Sequence, residues 1–386
     1  MLTGFLGSGK TTLLNHILDN KRGLKVAVIE NEFGAVGIDD SLINNRGSAL
    51  STTDEVVEMM NGCICCTVRS DLIKVLKKLL IEQKRKFDAI IIETTGLADP
   101  APVIQTFFVD KDIAALCTLD AVITVTDARH IEQQLDAKRP EGVENEAEEQ
   151  IVFADKILLN KMDLLAGDEE ARNRIEARLR KLNPVAEIIQ CERSVVDPNR
   201  LLGIKGFSLE RILEIDPQLL SEGGEAHQHD QTIKSLCIVS PDAMSVFRIE
   251  EWIQKLIGVH GQDLLRYKGV LNIKGMDERF VFQGVHMLFK GTFASPWRAN
   301  ERRVSKFVFI GRNLDVEALQ LSFFECRAET KLRFNVGDRV LANIGEWTPG
   351  TILKQWDEGN AYQIQLVDGR RCWGPIDEDS YVRAVA

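Results

Sequence analysis

The sequence lacks the features that would place the chain in a membrane, on nucleic acid or in a secretory pathway. Its apolar runs are short, such as Ala89 to Ile92, far below the ~20 residues that cross a bilayer. No basic and then apolar leader opens the chain, which argues against a signal peptide. Acidic residues outnumber basic ones by 58 to 48, for a net charge of −10, so no overall positive field attracts DNA, RNA or anionic lipid. We expect neither membrane nor nucleic acid as a partner and a cytoplasmic location, and leave open whether an upstream targeting segment is missing.

Cysteine is too unevenly spread for a disulfide framework. Of eight cysteines, three crowd into four positions: Cys63, Cys65 and Cys66. With no secretory signal, reduced thiols and a bound metal are favoured over disulfides. The other five lie in or beside apolar runs, which favours core positions: Cys117, Cys191, Cys237, Cys326 and Cys372.

The length of 386 residues predicts two or three folded units. Residues 1–205 alternate helix and strand patterns, as in an α/β unit with a parallel sheet. Residues 206–232 are polar and glycine-containing and predict a linker. The pattern over 233–328 suits a small α+β sandwich, ferredoxin-like in kind, and the short β runs and turns of 331–386 predict an SH3- or Tudor-like barrel.

The first motif is a phosphate-binding loop. Residues 4–12 read Gly-Phe-Leu-Gly-Ser-Gly-Lys-Thr-Thr and fit the pattern G-x-x-x-x-G-K-[ST]. The glycines let backbone N–H groups wrap phosphates, Lys10 reaches the β and γ oxygens, and Thr11 holds Mg²⁺. A glycine turn with an incidental lysine is disfavoured, because a helix pattern follows at once.

Only three residues precede Gly4, although such a loop ordinarily follows a buried strand of about five or six residues. Either the start of the protein lies upstream, or the sheet lacks its central strand. We favour a truncated sequence.

A second motif, Asn160-Lys161-Met162-Asp163, follows a strand pattern at Lys156 to Leu159. It therefore lies at the carboxyl end of a strand, where open α/β sheets bind ligands. The Asp163 carboxylate accepts two hydrogen bonds from N1 and N2 of guanine, which adenine cannot offer. A coincidental turn is the alternative, but the place of the motif two strands after a Walker B-like segment, Phe87 to Ile92, favours GTP over ATP.

The buried strand pattern from Phe87 to Ile92 delivers Glu93 and, three residues later, Gly96. A carboxylate there holds Mg²⁺ through water, and the Gly96 N–H reaches a γ-phosphate. Lys10, Glu93 and Gly96 are the predicted catalytic residues. The segment Glu30 to Gly34 falls where a γ-phosphate-sensing switch would lie.

The cluster Cys63-Ile-Cys65-Cys66 predicts a zinc site. Three thiolates bind one ion if the backbone turns tightly, and three ligands leave a fourth position open, which suits metal transfer. The alternative is a group of buried, inert thiols. His227 and His229 form a possible second metal patch, although two histidines in a polar linker are more often simply solvated.

With these motifs in place, the chain resembles the CobW-type metallochaperone GTPases, including their eukaryotic zinc-chaperone branch. The resemblance covers about residues 1–328 and rests on GFLGSGKTTLLNHIL, ENEFG, NGCICC, ETTGLADP and ILLNKMD. The later stretches RYKGVLNIKG, RFVFQGVH and FVFIGRNLD are similar to the family's C-terminal domain. It implies a P-loop GTPase domain over 1–205 and a CobW C-terminal-like domain over 233–328.

The resemblance also implies roles for single residues. The implied phosphate and Mg²⁺ ligands are Gly4, Gly7, Ser8, Gly9, Lys10, Thr11 and Thr12, with Glu93 supporting the metal. The implied guanine-reading residues are Asn160, Lys161 and Asp163, and the implied zinc ligands are Cys63, Cys65 and Cys66.

The predicted function is that of a GTP-hydrolysing zinc metallochaperone, with GTP, Mg²⁺ and Zn²⁺ as cofactors and a client metalloprotein as partner. A cobalamin-biosynthesis-type cobalt accessory GTPase and a P-loop small-molecule kinase stay open as alternatives. A binding module with a degenerate nucleotide site is disfavoured by the intact Lys10, Thr11 and Asp163.

Residues 331–386 contain three of the five tryptophans: Trp347, Trp356 and Trp373. One interpretation places these rings in a small core. The other gathers them with Tyr362 at one rim that seats a cation or a peptide. On the second interpretation the predicted barrel recruits a protein partner.

Overall fold

A computed structural model describes residues 1–20, 23–30, 55–58, 66–82, 86–140, 144–206 and 233–385. The described chain forms two compact units, one ending at residue 206 and the other beginning at 233. The predicted linker lies outside the described residues except for Gly206. In the described ranges, no helix combines the length and apolar character needed to cross a membrane.

The first unit is built on a seven-stranded sheet. Its strands are β1 (Leu2–Thr3), β2 (Val26–Glu30), β3 (Glu55–Glu58), β4 (Ala89–Glu93), β5 (Ile123–Asp127), β6 (Lys156–Asn160) and β7 (Glu187–Gln190). They lie in the order β3-β2-β4-β1-β5-β6-β7, and every neighbouring pair is parallel. The predicted parallel sheet is confirmed.

Helices follow the strands. They are α1 (Lys10–Asp19), α2 (Cys66–Lys77), α3 (Ala101–Val109), α4 (Lys111–Leu116), α5 (Ile131–Leu135), α6 (Glu146–Val152) and α7 (Glu169–Leu182). A π-helical turn, Lys78–Glu82, extends α2, and 3₁₀ turns form at Met162–Leu165 and Pro198–Arg200. Several helices begin at side-chain caps; Asp168, for example, accepts from the Ala171 N–H at the start of α7.

Alternate strand residues enter two separate cores. Val28 and Ile91 pack with α1, whereas their neighbours Ile29 and Ile92 pack with α2 and α3. Successive side chains of a strand point to opposite faces, so helices cover both faces of the sheet. This explains why the strands consist of continuous apolar runs.

Strand β1 is only two residues long but lies at the centre of the sheet, between β4 and β5. The Thr94 N–H donates to the Leu2 carbonyl at 3.0 Å, and the Thr94 hydroxyl donates to Thr3 Oγ1 at 2.9 Å. The alternative of a sheet without a central strand is therefore wrong.

The second unit begins with an antiparallel α+β layer. Its elements are β8 (Ile233–Ser240), α8 (Val246–His260), β9 (Leu264–Asn272), β10 (Glu278–Val285), β11 (Leu288–Pro296), β12 (Ser305–Arg312) and α9 (Val316–Phe324). The sheet order is β11-β10-β9-β12-β8. Trp252 of α8 contacts Phe307, Phe309 and Phe323 edge to face, so both helices share one core.

Residues 331–386 form a second antiparallel sheet. Its strands are β13 (Arg339–Asn343), β14 (Trp347–Asp357), β15 (Asn360–Leu366), β16 (Arg371–Gly374) and β17 (Val382–Ala384). They lie in the order β16-β15-β14-β13-β17. No described residues pair β16 with β17, so the structure shows an open sheet, and the predicted closed barrel is not found.

This terminal sheet packs directly on the α+β layer of the same unit. A Cβ added to Gly275 would lie 2.5 Å from the Trp356 carbonyl oxygen, so the turn between β9 and β10 approaches the end of β14 closely. Phe247 meets Tyr381 edge to face at 5.4 Å. Arg248 forms ion pairs with Glu329 and Glu378. The terminal sheet therefore packs directly against the α+β layer and is not merely joined to it by the chain.

Candidate functional site

The loop of residues 4–9 joins β1 to α1 and depends on its glycines. Gly4, Gly7 and Gly9 have φ of 141°, 72° and 111°, values that glycine adopts without strain. A Cβ on Gly4 would lie 2.1 Å from the Val125 carbonyl oxygen, and one on Gly9 would lie 2.5 Å from Asn160 Nδ2. Only glycine fits these positions.

Lys10 lies beneath this loop and is only 8% exposed. Its ammonium donates to the carbonyl oxygens of Gly4 at 2.8 Å and Phe5 at 3.2 Å, while its backbone begins α1. Within the described residues, the buried hydroxyls of Ser8 and Thr95 have no hydrogen-bond partner. A cationic, donor-rich concavity at a helix N-terminus fits a phosphate group.

Thr11 and Glu93 supply oxygen ligands beside the loop. The Thr11 hydroxyl donates to Glu93 Oε1 at 3.3 Å, and Glu93 ends β4 in register with Leu2 of β1 and Glu30 of β2. A hydroxyl and a carboxylate side by side fit Mg²⁺, which prefers oxygen ligands. Gly96 also reaches the loop, because a Cβ there would lie 2.6 Å from the Leu6 nitrogen.

Asn160 connects the second motif to the phosphate loop. Its Nδ2 donates to the Ser8 carbonyl and to Ser194 Oγ, both at 2.9 Å, and its Oδ1 accepts from the Ser194 N–H at 2.8 Å. The Ser194 hydroxyl in turn donates to the Gly9 carbonyl at 3.0 Å. Asn160 is 2% exposed, so this amide braces the loop from inside the protein.

Lys161 follows Asn160 in a left-handed conformation, with φ of 63°. Its ammonium donates to Asp127 Oδ2 at 2.7 Å, and His130 Nδ1 lies 3.1 Å from the same oxygen. Burial raises the pKa of Asp127, but hydrogen bonds from Lys161, His130 and the Arg129 N–H outweigh burial and hold the pKa below its ordinary value. Asp127 is therefore a charged anchor beside the motif.

Asp163 and Thr12 are exposed, unlike the buried Lys10 and Asn160. Asp163 lies in the 3₁₀ turn Met162–Leu165, immediately after the left-handed Lys161. Its carboxylate is thus presented to solvent at the carboxyl edge of the sheet, as a base-reading acceptor requires.

The structure gathers the predicted nucleotide residues at one edge of the parallel sheet, where β1, β4 and β6 end. Sequence reasoning missed three residues there: Asp127, His130 and Ser194. Asp127 could have been found, since it directly follows Val122 to Thr126, a stretch with the pattern of a buried strand. Ser194 gave little signal, because the preceding β7 has only four residues.

The predicted metal ligands fall largely outside the described residues. Cys63, Cys65, His227 and His229 are not among them, nor is the switch segment beyond Glu30, and of Cys66 only the backbone is described, at the start of α2. Within the described ranges, no group of three His, Cys, Asp or Glu side chains could hold a metal ion.

The aromatic residues of the terminal sheet occupy separate surroundings. The Arg383 guanidinium lies 3.9 Å from the centre of the Trp347 ring. Trp356 packs against the core of the sheet, and Trp373 is 42% exposed and donates to Asp357 at 3.0 Å. Tyr362 is fully buried, so its predicted place at an exposed rim is wrong.

Comparison with known proteins assigns the two parts of the chain. Residues 1–190 match the CobW/HypB/UreG nucleotide-binding domain, and residues 233–327 match the cobalamin synthesis protein CobW C-terminal domain. These matched segments end before the terminal sheet.

Relatives span most of the chain. It is 36% identical over 327 residues to the zinc chaperone YjiA of Escherichia coli, covering 84% of this chain and 96% of that protein. It is 33% identical over 346 residues to the zinc-regulated GTPase metalloprotein activator 1 of Schizosaccharomyces pombe, covering 81% and 82%. The crystal structure of the Zn(II)-bound YjiA GTPase is similar with a TM-score of 0.64 at 34% identity, over 84% of this chain and 97% of that one.

Proposed function

Because the chain belongs to the CobW/HypB/UreG family and carries a CobW C-terminal domain, we propose that it is a zinc metallochaperone GTPase. It binds zinc through Cys63, Cys65 and Cys66 and couples its GTP or GDP state to transfer of that zinc to a client protein. The relatives named zinc chaperone and zinc-regulated GTPase support this function.

The observation that carries the GTPase assignment is the Asn160 bridge. One buried amide touches Ser8 of the phosphate loop and Ser194, at 2.9 Å each, and is followed directly by Lys161 and the exposed Asp163. A phosphate-binding segment and a guanine-reading segment therefore share one rigid support. An ATP-using kinase has no need for the Asp163 acceptor, which disfavours the kinase alternative.

The residues divide the work on GTP. Lys10 and the loop N–H groups bind the phosphates, and the Gly96 N–H contacts the γ-phosphate. Thr11 and Glu93 hold Mg²⁺, which neutralises charge on the phosphate oxygens when bound. Asp163 accepts hydrogen bonds from guanine N1 and N2, while Asn160 and Lys161 keep it in place.

Coupling between the metal and the nucleotide has a physical route. Cys66 begins α2, and Leu72 and Leu76 of that helix pack in one cluster with Ile29 and Ile92. Those two strand residues directly precede Glu30 and Glu93. A rearrangement at the thiolates therefore reaches the Mg²⁺ side of the nucleotide site through a close-packed core, which transmits small shifts.

Zinc titrations in the GDP state and with a non-hydrolysable GTP analogue test the coupling. We expect different zinc affinities in the two states, and linkage requires zinc to change GTP affinity by the same factor. Replacing Cys63, Cys65 and Cys66 together by serine abolishes tight zinc binding, whereas Cys372→Ser, a matched thiol in the terminal sheet, leaves it intact. Equal affinities in both nucleotide states contradict the coupling.

A cobalt accessory GTPase is the second candidate, because the matched C-terminal domain is named for cobalamin synthesis. Competition between Co²⁺ and Zn²⁺ for the cysteine cluster decides between them. Preference for Zn²⁺ is expected, since three thiolates are soft ligands that suit zinc.

The cytoplasm is the proposed compartment. The five cysteines whose side chains are described are all free: Cys117, Cys191, Cys237, Cys326 and Cys372. Burial raises the pKa of Cys191 and Cys237 to about 11, so these thiols stay protonated and inert. A reducing environment suits such a chain.

We propose the bounds 1–205 for the GTPase domain, 233–328 for the CobW C-terminal domain and 331–386 for the terminal module. The strand order of that module, with β17 beside β13, supports an SH3-like fold. Its exposed Trp373 supports a role in positioning a protein partner. Truncation before residue 331 tests this role by measuring zinc delivery to a client apoprotein, which should weaken.

A further inference from the structure

We propose that Asp127 is a positioning residue for guanine recognition, acting through Lys161. The inference rests on the proposed GTP-binding function and adds to it a residue outside the loop and the Asn160–Asp163 motif. Asp127 itself is buried, with 4% of its surface exposed, whereas Asp163 is exposed.

The backbone brings the two residues together. Asp127 ends β5 and is in register with Asn160, which ends the neighbouring β6. The Ala128 N–H donates to the Asn160 carbonyl at 2.9 Å, which extends the pairing one step beyond the strands. Lys161 is therefore held beside Asp127 by main-chain contacts as well as by its side chain.

Both carboxylate oxygens of Asp127 are engaged. Oδ1 accepts from the Arg129 N–H at 2.9 Å, and Oδ2 accepts from Lys161 Nζ at 2.7 Å with His130 Nδ1 at 3.1 Å. A buried carboxylate held from both sides cannot swing away, because leaving it unpaired is costly. It gives the Lys161 ammonium one fixed end point.

Lys161 needs such an end point. A lysine has a flexible four-carbon stem and an ammonium that fixes no orientation by itself, and this side chain is 33% exposed. With Nζ on Asp127 and its backbone between Asn160 and the Met162–Leu165 turn, the Lys161 side chain is held at both ends. Asp127 therefore fixes the Lys161 side chain on one side of the proposed base site, while Lys10, Thr11 and Glu93 serve the phosphates and Mg²⁺.

The opposite end of β6 provides a matched control. Lys156 begins that strand and pairs with Glu187 at 2.8 Å, a distance close to that of the Lys161–Asp127 pair. This second pair joins neighbouring strands in the same way but lies at the amino end of the sheet. Glu187 also pairs with Arg200, so Glu187→Gln measures what the loss of strand-end ion pairs costs when the nucleotide is far away.

The test is a steady-state and binding comparison of full-length wild type, Asp127→Asn and Glu187→Gln. In Asp127→Asn we expect the KM for GTP and the Kd for GDP to rise about tenfold, as for a lost charge-assisted hydrogen bond, with kcat changed by less than about twofold. In Glu187→Gln both parameters stay near wild type. Equal effects of the two variants on KM show a merely structural role and overturn the inference.

A double-mutant cycle with Lys161→Met separates action through Lys161 from independent action. Lys161→Met keeps most of the aliphatic stem and removes the ammonium. The double variant Asp127→Asn with Lys161→Met should bind GDP no more weakly than Lys161→Met alone. Additive losses contradict the inference, and so does tighter binding by Asp127→Asn, which would mean that Asp127 competes with the nucleotide for Lys161.

The double variant removes both charges of the Lys161–Asp127 pair together, so it keeps the comparison measurable if Asp127→Asn alone fails to fold. Failure of the parent proposal has a separate signature: wild-type protein that binds ATP as tightly as GTP. If the wild type prefers GTP and the cycle is additive, only the role of Asp127 is lost.

Discussion

The parallel sheet of the first unit and the antiparallel sheet over 233–312 place their polar and aromatic side chains in different ways. The parallel sheet buries aliphatic residues on both faces and concentrates its polar side chains at strand ends, such as Glu93, Asp127 and Asn160. The antiparallel sheet over 233–312 is packed with aromatic rings on one face. The first arrangement places a candidate binding site at the edge of the sheet, and the second forms a rigid, closely packed core.

Glycine shows the same contrast. In the first unit, Gly4 and Gly9 leave space for backbone and for Asn160 around the phosphate loop. In the second unit, Gly269 and Gly284 leave space for rings, since a Cβ on them would lie 2.2 Å from Phe282 and 1.9 Å from Tyr267. The same residue type serves ligand binding in one sheet and packing in the other.

Replacing Lys10 by alanine should give the largest effect on GTP hydrolysis and should leave the second unit unaffected. We expect GTP hydrolysis to fall about 10²-fold or more, because a preorganised cation is removed from the transferring phosphate. The second unit should unfold as in the wild type, as followed by the near-UV signal of its tryptophans. A variant with unchanged hydrolysis shows that Lys10 is not part of the site.

Gly284→Ala should have the opposite effect: it should destabilise the second unit and leave the nucleotide site unaffected. The added Cβ collides with the Tyr267 ring, and we expect a loss of about 1–3 kcal/mol in unfolding free energy with GTP affinity retained. Denaturant unfolding measures the loss. The control is Gly258→Ala in α8, where nothing lies within 4 Å of the added Cβ and where alanine should stabilise the helix by about 0.5–1 kcal/mol.

Acid should weaken the first unit partly through Asp127. Its pKa is lower in the folded protein than its ordinary value, about 3.9 in unfolded chains. The charged form therefore stabilises the fold above about pH 4, and that contribution is lost as the pH falls through the folded-state pKa. Urea unfolding between neutral pH and about pH 3 should show a steeper loss in wild type than in Asp127→Asn. Parallel acid curves for the two proteins argue against this contribution.

Truncation before residue 331 should have the smallest effect on nucleotide binding. The hydrogen bonds described above for the phosphate loop and the Asn160–Asp163 motif are made within the first unit, so we expect the GTP KM to stay within about twofold. The α+β layer should lose stability, because the Phe247–Tyr381 contact and the Arg248–Glu378 ion pair disappear. A large rise in KM would place the terminal sheet in the catalytic machinery.

Sequence reasoning predicted the parallel sheet closely because its signals are local. The predicted strand from Lys156 to Leu159 ends one residue short of the observed strand. The sequence of Glu169 to Lys181 also has the pattern of a polar-faced helix, and the observed helix is one residue longer. Motif residues at strand ends were found for the same reason. Their supports were missed, because Asp127 and Ser194 act on partners 34 and 185 residues away, and such pairing follows only from strand order.

In the second unit the sequence was less informative. Strand β11 was missed because Leu288–Pro296 is largely exposed and contains Gly291, Ser295 and Pro296, so its alternation of apolar and polar residues is weak.

In the first unit, the two-residue β1 was unpredictable because it is too short to show a pattern. Its place at the centre of the sheet depends on β4 and β5 rather than on its own two residues.

The contact between Ser194 and Gly9 has a consequence for protein synthesis. The phosphate loop leaves the ribosome before Ser194 does, yet its Gly9 carbonyl is bound by the hydroxyl of that residue, 185 positions later. At roughly 5–20 residues per second, the loop waits on the order of 10–40 s for this partner. A nascent chain therefore acquires its complete nucleotide site only after nearly the whole first unit has emerged, so GTP is a ligand of the finished unit and not a scaffold for its early folding.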